Sequence, residues 1–244
     1  MQFYSITDRG KIRTHNEDCC FSKQTEDFTI LILADGMGGH KGGEIASSTA
    51  IEKASSYLEE NLQKKLIPAQ IYSALSEAVK RANEAVYSVS EKEADLSGMG
   101  TTLDICIVTG DCAYIAHIGD SRVYKIAPQK KITPLTKDHS LIEYMIETGT
   151  ITREEAANHP QKHIITRALG TEKNAEADIF QTKLKKNDIL LLCSDGLTNM
   201  LSDEEILYEI GKSSPEEGAQ RLVKLANDAG GTDNITVIVA QHQN

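Results

Sequence analysis

The 244-residue chain is short of the features that would commit it to a membrane, a nucleic acid or a thiolate metal site. Nowhere does it approach the roughly 20 consecutive apolar residues that a membrane helix requires. Its first residues, Met1 to Asp8, lack the basic start and apolar core of a signal peptide. A cytoplasmic protein with no membrane partner is therefore expected. Lys and Arg number 26 against 36 Asp and Glu, a formal net charge of −10. That deficit argues against a nucleic-acid partner, which needs concentrated Lys and Arg. The five cysteines, Cys19, Cys20, Cys106, Cys112 and Cys193, are odd in number and show no CxxC spacing. They read as reduced, packed thiols, with oxidation sensitivity of the adjacent Cys19 and Cys20 as the alternative. Repeats, low-complexity tracts and an interdomain linker are lacking too.

What is present is ordinary globular composition, 40% hydrophobic and 25% charged, at a length that can bury a sizeable core. One domain spanning 1–244 is expected. The first 34 residues read as short extended segments with a turn at Asp8-Arg9-Gly10. Residues 28–34 are nearly all apolar, as suits a strand buried on both faces. A helix opens at Glu44, and its Ala46, Ala50 and Ala54 share a stripe with Tyr57, Leu58 and Leu62. A longer helix starts at Pro68 and carries Ile71, Leu75, Ala78, Ala82, Val86 and Val89 at helical spacing. From Gly100 the period changes to two. Strands at 102–109, 113–118 and 121–126 are joined by links of two or three residues, which predicts antiparallel neighbours and excludes a simple parallel sheet. A polar, patchily helical excursion follows at 138–170, with a capping box at 152–155. Strands return at 179–184 and 189–193. A second capping box lies at 202–205, Ser214-Pro215 starts a helix ending at Gly230-Gly231, and 235–240 is the last strand.

The acids sit where apolar runs stop. Residues 29–34 end on Asp35-Gly36, residues 188–194 on Asp195-Gly196, and residues 114–118, more loosely, on Gly119-Asp120. Any single Asp-Gly pair is more readily a turn than a ligand. Two such runs in one chain, however, would leave charge at the edge of a core unless a cation partners it. Asp18, Asp35, Asp120, Asp195 and Asp233 all fall at strand boundaries, with Glu17 beside the first. Mg²⁺ and Mn²⁺ take oxygen ligands and keep several waters, so a few carboxylates serve two ions. Ions roughly 3.5–4 Å apart could share Asp35 and a bridging water whose lowered pKa supplies hydroxide near neutral pH.

Arg13, in Arg13-Thr14-His15-Asn16-Glu17-Asp18, offers a planar fork for two phosphate oxygens or a partner for Glu17 or Asp18. A cationic fork beside two metals points to hydrolysis of a phosphate ester. Gly36-x-Gly38 is not a nucleotide loop: Lys41 stands where the dinucleotide fingerprint needs its third glycine, and no Gly-Lys-Ser/Thr occurs. Pro160 and the missing glutamate of HExxH argue against His159 and His163 as a helical metal pair; both read as loop histidines. His40 is a candidate proton donor or a plain loop histidine.

In combination these pieces resemble the metal-dependent protein phosphatases, the type 2C serine/threonine family, in its bacterial form. The matching segments are Asp8-x-Gly10-x-x-Arg13-x-x-Asn16-Glu17-Asp18, Ala34-Asp35-Gly36-Met37-Gly38-Gly39-His40, Gly100-Thr101-Thr102, Gly119-Asp120-Ser121-Arg122, Asp138-His139-Ser140, Ala168-Leu169-Gly170, Ser194-Asp195-Gly196-Leu197 and Gly231-Thr232-Asp233-Asn234, in family order. The resemblance implies an α+β fold, a four-layer α/β/β/α sandwich with two central antiparallel sheets flanked by helices, and a flap subdomain at about 138–170. It implies two Mn²⁺ or Mg²⁺ ions bridged by Asp35, with Gly36 offering its carbonyl. Asp195 and Asp233 would hold the first ion, and Glu17 would meet the second directly or through water. Asp18 would arrange the metal waters, Asp120 with Asp195 would match a third-metal site, and Arg13 would bind phosphate.

Animal members commonly carry a histidine after the Asp-Gly as acid for the leaving group; this chain has Met37, as bacterial members often do. A metal-bound water then ranks ahead of His40 in that role. The implied activity is hydrolysis of phosphoserine and phosphothreonine in phosphorylated proteins, opposing a bacterial-type serine/threonine kinase, by a monomer. A catalytically silent phosphoprotein-binding domain is the first alternative, and the presence of Asp35, Asp195 and Asp233 together argues against it. A calcium module is the second, and no EF-hand spacing occurs.

Overall fold

The computed structural model describes residues 1–38, 41–62, 66–127, 131–156, 159–211 and 213–243. Its elements run β1 (Gln2–Asp8), β2 (Asp18–Gln24), β3 (Thr29–Met37), α1 (Gly42–Asn61), α2 (Pro68–Lys92), β4 (Gly100–Thr101), β5 (Leu103–Thr109), β6 (Cys112–Ile118), β7 (Arg122–Ala127) and β8 (Lys131–Pro134). The second half follows with α3 (Leu141–Glu147), α4 (Arg153–Ala156), β9 (Asp178–Lys183), β10 (Ile189–Cys193), α5 (Asp195–Thr198), α6 (Asp203–Ile210), α7 (Pro215–Asp228) and β11 (Ile235–Gln241). One sheet has the order β1-β11-β10-β7-β8 and the other β2-β3-β5-β6-β9, with β4 paired to the end of β3. Every pairing described is antiparallel.

The alternation along β3 makes the layers. Ile30, Ile32 and Ala34 pack among residues of α1 and α2, whereas Leu31 and Leu33 face the other sheet. β10 and β11 mirror this arrangement. Ile189, Leu191, Val237 and Val239 pack against α6 and α7, while Leu190, Leu192, Ile238 and Ala240 meet Leu31 and Leu33 between the sheets. A slip of one residue in β3 would exchange its two cores, so the register is strongly specified. The result is the expected α/β/β/α sandwich. The alanine stripe of α1 is fully buried at Ala46, Ala50 and Ala54, which lets that helix approach the sheet closely. The capping box at Ser202/Glu205 forms as read, and another forms at the helix start Ser214/Glu217. No helix among the described residues is long and apolar enough to cross a membrane.

One expectation fails. The short link at Gly119-Asp120 predicts that β6 and β7 are antiparallel neighbours, but β6 lies between β5 and β9 and β7 between β10 and β8, in different sheets. Gly119 sits at φ +117°, where a Cβ would fall 2.5 Å from the Thr102 side chain. Glycine alone tolerates this backbone, and it lets the chain cross between sheets in place of closing a hairpin. Asp120 is thereby held at the crossing. The sequence reading also passes over β8, an edge strand of four residues ending on Pro134.

Candidate active site

β2 and β3 pair in a register that sets Asp18 directly opposite Asp35. Both backbone groups of Asp35 are fixed from β4 and the residue after it: Thr101 Oγ1 and Thr102 N donate to its carbonyl at 2.9 Å each, and its N–H donates to Thr102 Oγ1 at 2.9 Å. Gly36 N donates to Glu17 O at 3.1 Å. A Cβ on Gly36 would stand 2.1 Å from Gly43 O and 2.6 Å from Glu17 O, so the start of α1 and the segment before β2 close on the strand end. Asp195 opens the first turn after β10, Asp233 precedes β11, and Asp120 follows β6.

These strand ends surround one cavity of about 1060 Å³, lined by Arg13, Glu17, Asp35, Gly36, Asp120, Asp195 and Asp233 among others. Asp18 does not line it. That carboxylate lies behind, 8% exposed; Ser194 Oγ donates to its Oδ2 at 2.7 Å and its Oδ1 has no partner. Ser194 Oγ accepts in turn from Thr236 N at 3.0 Å. Asn234 organises the loop before β2: its Oδ1 accepts from Glu17 N at 2.8 Å and its Nδ2 donates to Arg9 O and His15 O.

Burial and mutual repulsion act together on the acids. Burial first, then Asp195 and Asp233, push Asp18 up to about 7. Burial, then Asp195 and Asp138, push Asp120 up to about 7. Asp195 rises to about 6 through burial and Asp233, and Asp35 rises well above the carboxylate range through burial and the charges of Asp18, Asp195, Asp120 and Asp233. Glu17 is raised by burial against the pull of Arg13. Burial works against the Arg13 charge, but Asp233 outweighs it and keeps the guanidinium firmly protonated. Arg13 Nη2 donates to Asp233 Oδ2 at 2.7 Å, a different carboxylate from the Glu17 or Asp18 considered above.

A hard divalent cation fits this set. All donors are oxygen, the carboxylates raise one another's proton affinity, and the buried Asp18 Oδ1 is unsatisfied. Among the described residues no group of three or more His, Cys, Asp or Glu side chains is already placed to hold a metal ion. Ions that keep part of their water shell, as Mg²⁺ does, need only a few direct protein ligands.

Of the residues singled out in the sequence, His40 lies outside the described residues. His163, read as a loop histidine, lines the cavity with Lys162, and Asn199 Nδ2 donates to Asp195 Oδ2 at 3.0 Å. Lys162, Asn199 and Met200 had no motif to mark them. Ser194 and Asn234 did, since each adjoins a proposed ligand, but their contacts form only when β10 and β11 pair.

Fold and site together define a class: an α/β/β/α sandwich whose strand ends gather carboxylates and one arginine around a cavity. The chain belongs to the protein phosphatase 2C family, whose model matches residues 10–227. It is 42% identical over 238 residues to the serine/threonine phosphatase stp of Listeria monocytogenes serotype 4b, covering 96% of this chain and 93% of that one. Among solved structures it is similar to serine/threonine phosphatase Stp1 from Staphylococcus aureus, with TM-score 0.93, 36% identity and coverage of 100% and 96%. It is also similar to the catalytic domain of serine threonine protein phosphatase PstP in complex with two manganese ions, with TM-score 0.87, 36% identity and coverage of 100% and 98%.

Proposed function

We propose that this protein is a metal-dependent serine/threonine phosphatase that removes phosphate from phosphoserine and phosphothreonine in proteins. The observation that carries the reading is the convergence of Asp35, Asp120, Asp195 and Asp233, from separate strand ends, on a cavity that also holds Arg13. Two Mn²⁺ or Mg²⁺ ions would supply an activated water and offset the charge of the phosphoryl group. Asp35, Gly36, Asp195 and Asp233, with Glu17, are the residues that would hold them, and Asp120 with Asp195 would hold a third. Asp18, held behind the cavity by Ser194, would act on the metal waters only through its neighbours. Arg13, exposed at the cavity rim, is placed to exchange its pairing with Asp233 for the oxygens of a phosphate. Met37 lines the same cavity and carries no proton to donate.

The chain is on this reading one catalytic domain, with 138–170 as a flap beside the site, acting as a cytoplasmic monomer opposite a serine/threonine kinase. Release of phosphate from a phosphothreonine peptide with and without Mn²⁺ tests it. Wild type should depend on the metal and Asp195→Ala should be inactive. Equal hydrolysis by both would remove the metal-site assignment.

A further inference from the structure

The motif Asp138-His139-Ser140 has no part in the mechanism above, yet its histidine is 7% exposed and bonded on every side. His139 holds the crossing residue Gly119 twice: its N–H donates to Gly119 O at 2.7 Å, and Gly119 N donates to its Nδ1 at 3.1 Å. Since Nδ1 accepts, Nε2 carries the proton, and it faces Asp178 Oδ2 at 3.2 Å. Arg167 Nη2 lies against the same nitrogen and donates to Asp178 Oδ1 at 3.0 Å. The His139 ring stays neutral, lowered to about 4 by burial and by His117 and Arg167, so Nδ1 keeps its acceptor lone pair.

The same residue also anchors the base of the excursion. Its carbonyl accepts from Thr166 N at 2.7 Å, and the next residue, Ser140, bridges to Ile165. Behind the ring, 4.6 Å away between centroids, His117 is locked between Asp104 Oδ1 at 2.7 Å and Lys137 O at 2.9 Å. On the other side of Gly119, Thr102 Oγ1 bonds Ser121 Oγ at 2.8 Å and receives the N–H of Asp35. The turn carrying Asp120 is therefore clamped between the strand that carries Asp35 and the stem of the excursion.

We propose that His139 is a positioning residue that couples the stem of the 138–170 excursion to the Asp120 carboxylate by holding Gly119, and so sets cation affinity at the site Asp120 serves. This rests on the reading of Asp120 as a cation ligand. Outer partners of ligand-bearing residues typically change metal affinity by about 10- to 100-fold when removed.

The test is Mn²⁺ binding to the metal-free protein by titration calorimetry, alongside the Mn²⁺ dependence of phosphate release. Asp120→Ala identifies the phase of the isotherm that this carboxylate serves. His139→Asn keeps an acceptor where Nδ1 stands, whereas His139→Gln moves the amide to the Nε2 side and leaves Gly119 N unpaired. His139→Gln should weaken that phase by about 10-fold or more and raise the half-activating Mn²⁺ concentration by the same factor, while His139→Asn stays within about 3-fold of wild type. Asp178→Ala, at a half-exposed position, should weaken the same phase several-fold, and decides alone if His139→Gln does not fold. Wild-type Mn²⁺ affinity in the folded variants overturns the proposal, as do equal losses in Asn and Gln tracking only a lowered melting temperature. An isotherm unchanged by Asp120→Ala removes the ligand assignment and the coupling with it. A wild type that neither binds Mn²⁺ nor releases phosphate would sink the proposed function itself.

Discussion

Replacing Asp18 by Asn should stabilise the metal-free protein, although the carboxylate is buried in its core. Asp18 is 8% exposed, its Oδ1 is unpartnered, and burial with the charges of Asp195 and Asp233 lifts it from 3.8 to about 7. A shift of about 3 units at 1.36 kcal/mol each is a penalty of about 4 kcal/mol for holding the charged form. Asn accepts from Ser194 as Oδ2 does, but brings an N–H to the unpartnered side, which costs about 1–3 kcal/mol. The net expectation at pH 8 in EDTA is a gain of ~1–3 kcal/mol, or about 2–12 °C in melting temperature. The sign with pH follows from linkage. A carboxyl whose folded-state value is raised destabilises fully above that value, and the penalty declines as pH falls below about 7, vanishing near the ordinary carboxyl value of ~3.9 in the unfolded chain. The advantage of Asp18→Asn should therefore shrink on acidification and reverse between about pH 4.5 and 6, where the remaining penalty falls below the ~1–3 kcal/mol cost of the amide N–H. Urea denaturation of both proteins from pH 8 to 4 measures this. A variant less stable than wild type at pH 8, or a difference that does not change with pH, would refute the electrostatic account.

Other outcomes follow from the same geometry. Mn²⁺ at about 100 times its dissociation constant should stabilise the fold by ~2.7 kcal/mol, and EDTA should reverse the rise in melting temperature. Gly36→Ala places a methyl 2.1 Å from Gly43 O and 2.6 Å from Glu17 O, both backbone, and should cost about 3 kcal/mol or more in chemical denaturation with loss of activity. Arg13→Ala removes a charge-assisted donor worth ~1.5–3 kcal/mol, so kcat/KM on a phosphothreonine peptide should fall about 10- to 150-fold while the fold stands.

The layers were readable from the sequence wherever one face of an element decides its period. Residues 28–34 are nearly all apolar and 189–193 wholly so, and both turn out to be buried between a helix layer and a second sheet. Asp35 and Asp195 were legible for a related reason, since an acid that ends such a run must meet something charged. The crossing at Gly119 was not legible, because a two-residue link looks the same whether it closes a hairpin or changes sheets; only the glycine's φ of +117° and the bulk of Thr102 decide. Nor could local sequence pair Arg13 with Asp233, 220 residues away, or show that Asp18 is sealed behind the cavity by Ser194. Those contacts exist only through the pairing of β1 with β11 and β10 with β11.

The central claim is that Asp35 joins two cations at the end of β3. Anomalous diffraction at the manganese edge, from a crystal grown with Mn²⁺, tests it most directly. The account predicts two peaks roughly 3.5–4 Å apart that share Asp35, one of them held by Asp195 and Asp233. Density confined to other carboxylates, with Asp35 free of metal at saturating Mn²⁺, would contradict it.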